Sequence, residues 1–265
     1  MPCQPWAVQD ALRMHVQPML REPALVLAFD GWNDAGEAAS SAARYVSDAL
    51  HCVPLAEIDP EEFYDFTVRR PCVRLHDGAR RIEWPKSEFR FGQMDPQRDI
   101  VIGIGAEPHL RWRGYCDHVL RLVRSMRIRQ AVLLGAFLAD VVYSRPVHVT
   151  GFATRSEELA RLMVQPSAYQ GPTGIVGVLA ERLEEDGVRV VSLWAGLPHY
   201  ISTSPNPRGA LALVKHLCEC LAFRIDESEL IKSAAEFEER TAALVASDPE
   251  LSDYVRQLKR REFAQ

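Results

Sequence analysis

Residues 24–36, ALVLAFDGWNDAG, decide the fold class of this chain. The stretch opens with a continuous apolar run, which is typical of a strand covered on both faces of a parallel sheet. Polar residues break the run, and an apolar stripe with helical spacing starts at Ala39. The stretch therefore predicts a strand, a short loop and a helix. Asp34 can be the N-cap of that helix, with Glu37 completing a capping box.

The same order of strand and helix recurs along the chain. Apolar runs at 99–105, 130–138 and 188–194 predict further buried strands, and the helix after the last of them opens at Asn206. Repeated alternation of this kind predicts an α/β fold, a three-layer sandwich with a mostly parallel sheet and right-handed crossovers. We expect this core domain to cover residues 1–225.

Two stretches depart from the alternation. Between about residues 63 and 92, the β-rich pieces Arg80–Trp84 and Ser87–Phe91 predict an inserted β-hairpin that packs on its own domain or on another subunit. From 226 to 265 apolar residues recur only at helical spacing, which predicts a C-terminal helical hairpin. Two helices cannot bury their apolar stripes alone, so this segment must act as a lid on the core or as a subunit contact.

Composition places the chain among ordinary globular proteins. Of its 265 residues, 47% are hydrophobic and 25% are charged, which excludes disordered and collagen-like classes. The formal net charge of −5 provides no basic excess, so no nucleic-acid partner is expected. The longest apolar run, 131–139, is too short to span a bilayer, and residues 1–5 lack the features of a signal peptide. We therefore expect a cytoplasmic protein with no membrane partner.

The sequence contains no recognisable metal, cofactor or nucleophile motif. Its cysteines form neither a C-x-x-C pair nor a zinc-ribbon spacing and are expected to be reduced and buried: Cys3, Cys52, Cys72, Cys116, Cys218 and Cys220. A phosphate-binding loop, a complete dinucleotide fingerprint, a nucleophile elbow and an H-E-x-x-H helix are all missing. No cofactor and no metal are therefore expected.

Polar and aromatic side chains follow the predicted strands, at the edge where parallel α/β sheets bind ligands. They are Trp32, Asn33, Asp34, Glu107, His109, Asp140, His199 and Tyr200. If the strands are neighbours, these side chains converge on one edge of the sheet. Two of them have plain alternatives, since Asp34 can be a simple helix cap and Trp32 can be either a lid on a pocket or a core anchor.

A glycine-containing turn, Gly171, Pro172, Thr173 and Gly174, precedes another predicted helix. Free backbone amides at such a helix start can bind a phosphate or a carboxylate. Turn geometry alone explains the glycines equally well. We therefore expect the ligand-binding residues to come from this turn and from Trp32, Asn33, Asp34 and Tyr200.

Catalytic and metal-binding interpretations depend on a small set of side chains. His199 can be a general acid or base, with Asp140 or Glu107 positioning it or the substrate. Asp140 and His199 together with His148 could also hold a metal, but three scattered ligands are a pattern of low specificity. The sequence leaves open whether the chain is an enzyme.

Taken together, the loop strings resemble a known family. They are FDGWNDAG (29–36), FYD (63–65), RRP (69–71), GAEPHLRW (105–112), LGAFLADVVYSRP (134–146), GPTGIVGVL (171–179) and WAGLPHYISTSPNP (194–207). In this order they resemble the proteasome assembly chaperone family of the second type, and most closely its actinobacterial branch of uncharacterised members. The resemblance covers about residues 24–262.

The resemblance implies an α/β fold similar to purine nucleoside phosphorylases and peptidyl-tRNA hydrolases, a homotrimer, and C-terminal helices over the crevice. It implies no reaction, because the eukaryotic relatives are non-catalytic chaperones of proteasome subunits. One departure is the ending Arg261–Gln265, which lacks the hydrophobic-tyrosine tail that docks into a proteasome ring. Docking by that route is therefore not expected.

Three hypotheses follow. The first is a non-catalytic oligomer that binds a protein partner or a small anionic ligand, in the manner of an assembly chaperone. The second is a phosphorylase-like or hydrolase-like enzyme that uses His199 with Asp140 or Glu107 in the crevice at the carboxyl ends of the strands, and binds an anion at the amides near Gly174. The third is a purely structural role for the quoted strings.

Overall fold

The computed structural model describes residues 10–262. Its strands are β1 (Leu12–Met14), β2 (Ala24–Asp30), β3 (Val53–Ile58), β4 (Cys72–His76), β5 (Ala79–Glu83), β6 (Ser87–Asp95), β7 (Arg98–Ala106), β8 (Gln130–Ala139), β9 (Val149–Ala153), β10 (Gln165–Pro166) and β11 (Arg189–Pro198). Its helices are α1 (Ala38–Ala49), α2 (Trp112–Ser125), α3 (Ser156–Arg161), α4 (Ile175–Glu185), α5 (Pro207–Leu221), α6 (Ser228–Ser247) and α7 (Pro249–Glu262). Cys3, the opening residues 1–5 and the ending 263–265 lie outside the described residues.

A nine-stranded sheet forms the centre of the molecule, in the order β1-β3-β6-β7-β2-β8-β11-β9-β10. The four central strands β7, β2, β8 and β11 are parallel. Antiparallel strands extend this group on both sides, β6, β3 and β1 beyond β7 and β9 beyond β11. The predicted α/β architecture with a mostly parallel sheet is confirmed.

Side chains of β2 alternate between two cores, one on each face of the sheet. Val26 and Ala28 pack in the core that contains α1 and α5, whereas Leu25 and Leu27 pack in the core that contains α2 and α4. Burial on both faces is what the continuous apolar run predicts. Because the four central strands are parallel, their carboxyl ends lie at one edge of the sheet.

The predicted pairing inside the insertion is wrong. β5 pairs with β4 in a separate two-stranded hairpin, with Val73 opposite Ile82. Ser87–Asp95 instead joins the main sheet between β3 and β7. The short separation at Pro85 and Lys86 suggested a tight turn, but an equally β-prone strand upstream is the true partner of β5. The inserted hairpin is therefore Cys72–Glu83, within the predicted interval.

The last part of the chain forms two helices, as the helical spacing predicts. Helix α6 packs on α5, and the hydroxyl of Tyr45 in α1 donates a hydrogen bond to the carbonyl of Asp226 just before α6 (2.8 Å). Val245 of α6 and Val255 of α7 bury a small cluster with Val142, beyond the end of β8. The division of the chain at residue 226 stays a prediction. In residues 10–262, no helix combines the length and the apolarity needed to cross a lipid bilayer.

The described cysteines are free thiols, and four of them are buried as predicted: Cys52, Cys116, Cys218 and Cys220. Cys72 is exposed, so the expectation of burial is wrong there. It begins β4, and that hairpin has no covering layer among the described residues.

Candidate functional site

Three of the predicted residues meet where β2 and β7 end and α4 begins. Glu107 Oε1 accepts a hydrogen bond from Asn33 Nδ2 (2.7 Å) and one from the backbone amide of Ile175 (2.8 Å). Asn33 is completely buried. Gly174 leaves room for this contact, because a Cβ there would lie 2.2 Å from Asn33 Oδ1. The sequence predicts that the backbone amides at the start of α4 bind an external anion. In the structure, the Ile175 amide donates instead to Glu107, a carboxylate of the chain itself.

Asp34 provides the side-chain acceptor for the first amides of helix α1, although the N-cap residue of that helix is Glu37. Asp34 Oδ1 accepts hydrogen bonds from the backbone amides of Ala39 (2.6 Å) and Ser40 (3.2 Å), inside the first turn. Burial raises the pKa of Asp34, and the hydrogen bonds from this turn oppose that shift. The predicted capping box does not form, because the Glu37 carboxylate accepts a hydrogen bond from Ser204 Oγ (2.8 Å) instead. Asp34 therefore has the capping role that the sequence allows, but it lies before the N-cap position of α1 that was predicted for it.

A second group, at the ends of β8 and β11, contains the predicted acid and base. His199 Nδ1 lies 3.2 Å from Asp140 Oδ1, which also accepts a hydrogen bond from the Tyr254 hydroxyl of α7 (3.2 Å). The rings of His199, Tyr200 and Tyr254 make edge-to-face contacts with one another, with centroids 5.4–5.6 Å apart. The side chains of Asp140 and His199 are 69% and 44% exposed, so this pair faces solvent. Helix α7 therefore packs over the edge that holds the predicted pair.

Other candidate residues point elsewhere. His109 Nδ1 accepts a hydrogen bond from the backbone amide of Asp65 (3.0 Å), in the loop after β3. His148 Nε2 lies 2.9 Å from Gln165 Oε1 at the far side of the sheet. Among residues 10–262, no three His, Cys, Asp or Glu side chains gather closely enough to hold a metal ion. The absence of a metal and of a cofactor stays a prediction.

The structure adds an ion pair at this edge that the sequence analysis missed. Both terminal nitrogens of Arg69 donate to the carboxylate of Asp30, each at 2.6 Å. Asp30 is the last residue of β2, so the pair ties the chain that leads into the insertion to the end of the central strand. Arg69 belongs to the RRP string (69–71), which contributes to the family resemblance. Nothing in that string indicates that Asp30 is the ionic partner of Arg69.

Trp32 stands at the mouth of an open groove of about 700 Å³ between α4 and the sheet surface of β8, β9 and β11. Its side chain is 60% exposed, which fits a pocket lid and not a core anchor. We call this feature the apolar groove; its aromatic and aliphatic lining is Trp32, Phe137, Leu138, Phe152, Tyr169 and Trp194. Thr173 also lines it, and Glu181 and Glu184 of α4 form its charged wall.

The floor of the apolar groove depends on a glycine in β8. The indole of Trp194 in β11 lies across Gly135, where a Cβ would come within 2.5 Å of the ring. Phe152 of β9 points to the same side, because it pairs with Ser192 two residues before Trp194. The sequence did not predict that these aromatic side chains line a groove, because each strand taken alone has the apolar pattern of a buried strand.

The chain matches a known protein family over most of its length. The sequence model of the PAC2 family matches residues 28–245. This chain belongs to the PAC2 family. The resemblance to proteasome assembly chaperones of the second type is thereby confirmed.

Solved PAC2 structures share this fold over most of their length. A proteasome-assembly chaperone homologue from Mycobacterium tuberculosis is 36% identical, with a TM-score of 0.80 over 88% of this chain and 99% of that one. A PAC2 family protein from Streptomyces avermitilis gives the same four values. An archaeal proteasome activator from Pyrococcus furiosus is 18% identical with a TM-score of 0.70, covering 88% of this chain and 97% of its own, and shares the fold alone. No curated protein has significant sequence similarity to the chain.

Proposed function

We propose that this PAC2 protein is a non-catalytic, oligomeric, assembly-chaperone-like protein of the cytoplasm that binds other polypeptides through the apolar groove. The observation that carries the proposal is the exposure of large apolar side chains in one place. Trp32 is 60% exposed, Leu138 57% and Phe152 45%, and they line the same groove. Contiguous exposed apolar surface of this kind marks protein-binding sites on soluble proteins.

Internal roles of the acidic groups at the sheet edge support the non-catalytic part of the proposal. Glu107 supplies acceptors to Asn33 and to the start of α4, and Asp34 supplies them to α1. A carboxylate engaged by two buried donors is a poor general base, because proton transfer would break the contacts that hold it. Among the proposed ligand contacts, Trp32 and Thr173 line the groove, whereas Asn33, Asp34 and Gly174 would support its rim from inside.

The partner class follows from the relatives. The M. tuberculosis protein at 36% identity is described as a proteasome-assembly chaperone homologue. We therefore take proteasome subunits as the polypeptides that this chain binds. The groove suits an extended apolar segment, because its aromatic lining offers broad flat contacts and Glu181 and Glu184 can meet a basic residue at one flank.

A binding and assembly experiment tests the proposal. The purified chain is mixed with separately purified proteasome α and β subunits of an actinobacterium, and assembly is followed by native gel and sedimentation velocity. The wild type should form a complex with free subunits and accelerate assembly, and Phe152→Asp should lose at least half of both effects. Met19→Asp is the matched control, because Met19 is an exposed apolar residue that does not line the groove. Equal behaviour of the two variants, or no complex with wild type, would contradict the proposal.

One contact favours the enzymatic alternative. The 3.2 Å approach of His199 Nδ1 to Asp140 Oδ1 would leave the other ring nitrogen free to exchange a proton with a substrate. Phosphorolysis of nucleosides and hydrolysis of amide or ester substrates should be measured for wild type, His199→Ala and Asp140→Asn. Turnover that disappears in both variants would establish this alternative and remove the non-catalytic part of our proposal.

A further inference from the structure

The hairpin β4–β5 stands out because nothing in the described chain covers it. All ten of its strand residues are exposed. We call Cys72–Glu83 the arm. An isolated two-stranded hairpin is marginal in water, and a native protein rarely leaves one bare without a partner. The arm therefore needs a surface against which to pack.

One face of the arm is apolar. Cross-strand partners of a hairpin share a face, so Val73 and Ile82 lie side by side, and Leu75 and Arg80 follow them on the same surface. The three apolar side chains are 54%, 59% and 72% exposed in the order Val73, Ile82 and Leu75. The opposite face is polar, with Arg74 and Arg81 paired across the strands. The arm thus offers a short apolar surface with basic side chains around it.

The apolar groove is the complementary surface. Its aromatic floor is open to solvent, and its α4 wall contributes Glu181 and Glu184. Within residues 10–262, neither of these carboxylates takes part in an ion pair, and neither do Arg80 and Arg81 of the arm. Apolar surface would therefore meet apolar surface, and Arg80, which shares the apolar face of the arm, would meet the unpaired acids of the α4 wall.

Topology places the arm and the groove on opposite halves of the molecule. The arm leaves the sheet between β3 and β6, whereas the groove lies over β8, β11 and β9. Four strand steps separate β6 from β11, which corresponds to roughly 19 Å across the sheet. An arm on one half and its complementary groove on the other suit a head-to-tail contact between two copies.

We infer that the arm of one copy of this chain docks in the apolar groove of a second copy. This inference rests on the proposed function in one respect, since both treat the groove as a polypeptide-binding surface; here the occupant is a second copy. Such a contact is heterologous: every copy gives an arm and receives one. Repetition of a heterologous contact closes into a ring when the rotation between copies allows it.

Mass measurements on the full chain test the inference. Sedimentation equilibrium at micromolar concentration should show an oligomer for wild type. Leu75→Asp in the arm and Phe152→Asp in the groove should each weaken self-association about tenfold or more, because each places a charge in a desolvated contact. Met19→Asp should keep the wild-type mass. Circular dichroism checks that every variant is folded, as expected for exposed positions.

Mixing the two variants gives the decisive readout. The intact arm of Phe152→Asp fits the intact groove of Leu75→Asp, so the mixture should form a one-to-one dimer that cannot close into a ring. A charge exchange provides a second route. Arg80→Glu should weaken self-association, and mixing that protein with Glu181→Arg plus Glu184→Arg should restore association, because each arm in the mixture then finds a groove of opposite charge.

Several results would overturn the inference. They are a monomeric wild type, an oligomer that survives both Leu75→Asp and Phe152→Asp, and a mixture that stays monomeric. The proposed function has a separate readout, because Leu75→Asp alters only the arm and leaves the groove intact for proteasome subunits. Failure of the arm contact with retained subunit binding would therefore remove only this inference.

Discussion

Gly174→Ala should destabilise the protein far more than a single methyl group normally does. Gly174 has an extended backbone (φ −93°, ψ −174°) that any residue can adopt. Glycine is therefore needed here because a side chain would have no room, and not because of its backbone conformation. An alanine Cβ would lie 2.2 Å from Asn33 Oδ1 and 2.6 Å from Glu107 Oε1. Asn33 cannot move aside easily, because it is completely buried and its backbone carbonyl accepts a hydrogen bond from Ala136 (2.8 Å).

The magnitude follows from the contacts that the methyl group would break. Asn33 and the Ile175 amide each donate to the Glu107 carboxylate, and a hydrogen bond to a charged group contributes about 1.5–3 kcal/mol. Loss of both removes about 3–6 kcal/mol. Alanine lowers the conformational entropy of the unfolded chain relative to glycine, and this offsets up to about 1 kcal/mol of the loss. We expect the free energy of unfolding to fall by about 2–5 kcal/mol.

Urea unfolding at pH 7, followed by circular dichroism, measures this change. Gly114→Ala is the matched control: it lies in the first turn of α2, where a new Cβ would be an ordinary 3.9 Å from the Phe63 ring, so it should stabilise by up to about 1 kcal/mol. In an Asn33→Ala background the clash with Asn33 is removed and only the approach to Glu107 Oε1 remains, so Gly174→Ala should cost clearly less than in the wild type. A loss below about 1 kcal/mol in the wild type, or the same loss in both backgrounds, would refute the steric reasoning.

Three further predictions concern single groups. Burial raises the pKa of Asp34 above the usual 3.8, so its contribution to stability is complete below that value and is lost as pH rises through the folded pKa. Asp34→Asn should remove this dependence, and the stability of wild type relative to the variant should fall between pH 4 and pH 7 in urea titrations. Cys72 should be the fast-reacting thiol toward Ellman's reagent in a Cys3→Ser background, since burial raises the pKa of Cys116, Cys218 and Cys220 to about 12; an unchanged fast phase in Cys72→Ser would contradict this. His199→Ala should lower stability by less than about 1 kcal/mol, because its contact with Asp140 is solvent-exposed; a larger loss in thermal unfolding would show that the contact is structural.

The central strands were predictable because their signal is local. A strand covered on both faces needs apolar residues at every position, and the run at 24–29 meets that need regardless of its neighbours. The partner of β5 was not predictable in this way. Exposed strands carry little apolar pattern, and the pairing of Leu75 with Arg80 is fixed by the tight turn at Asp77 and Gly78, where φ is +50° and +78°.

The position of the candidate site could be predicted from the sequence, but only some of its contacts could. The rule that polar groups after parallel strands share one edge brought Asn33 and Glu107 together correctly. It could not assign Glu107 to the Ile175 amide, because that contact requires α4 to begin beside β7, which is a matter of strand order. The apolar groove could not be predicted either, because it also depends on which strands lie next to one another. Whether Phe137 and Phe152 are core or surface depends on how far α4 extends across the sheet.

The edge of the sheet also explains why carboxylates here stabilise helices. Helices that follow parallel strands start at the same edge as the strand ends, and their first amides need acceptors. Neither α1 nor α4 obtains a side-chain hydrogen bond from its own cap residue, Glu37 or Gly174. Asp34 and Glu107 supply those acceptors from outside the helices.

This arrangement bears on the kind of ligand that we propose, a polypeptide and not a small anion. An external anion at the start of α4 would have to displace Glu107 from the Ile175 amide and leave the buried Asn33 Nδ2 without its acceptor. Displacement would cost about 1–3 kcal/mol for the unpaired amide group before any binding energy is gained. The apolar groove carries no such penalty, because Phe152 and Leu138 are already exposed and lose only water when a polypeptide covers them. These contacts therefore favour our proposal of a polypeptide ligand over binding of a small anion.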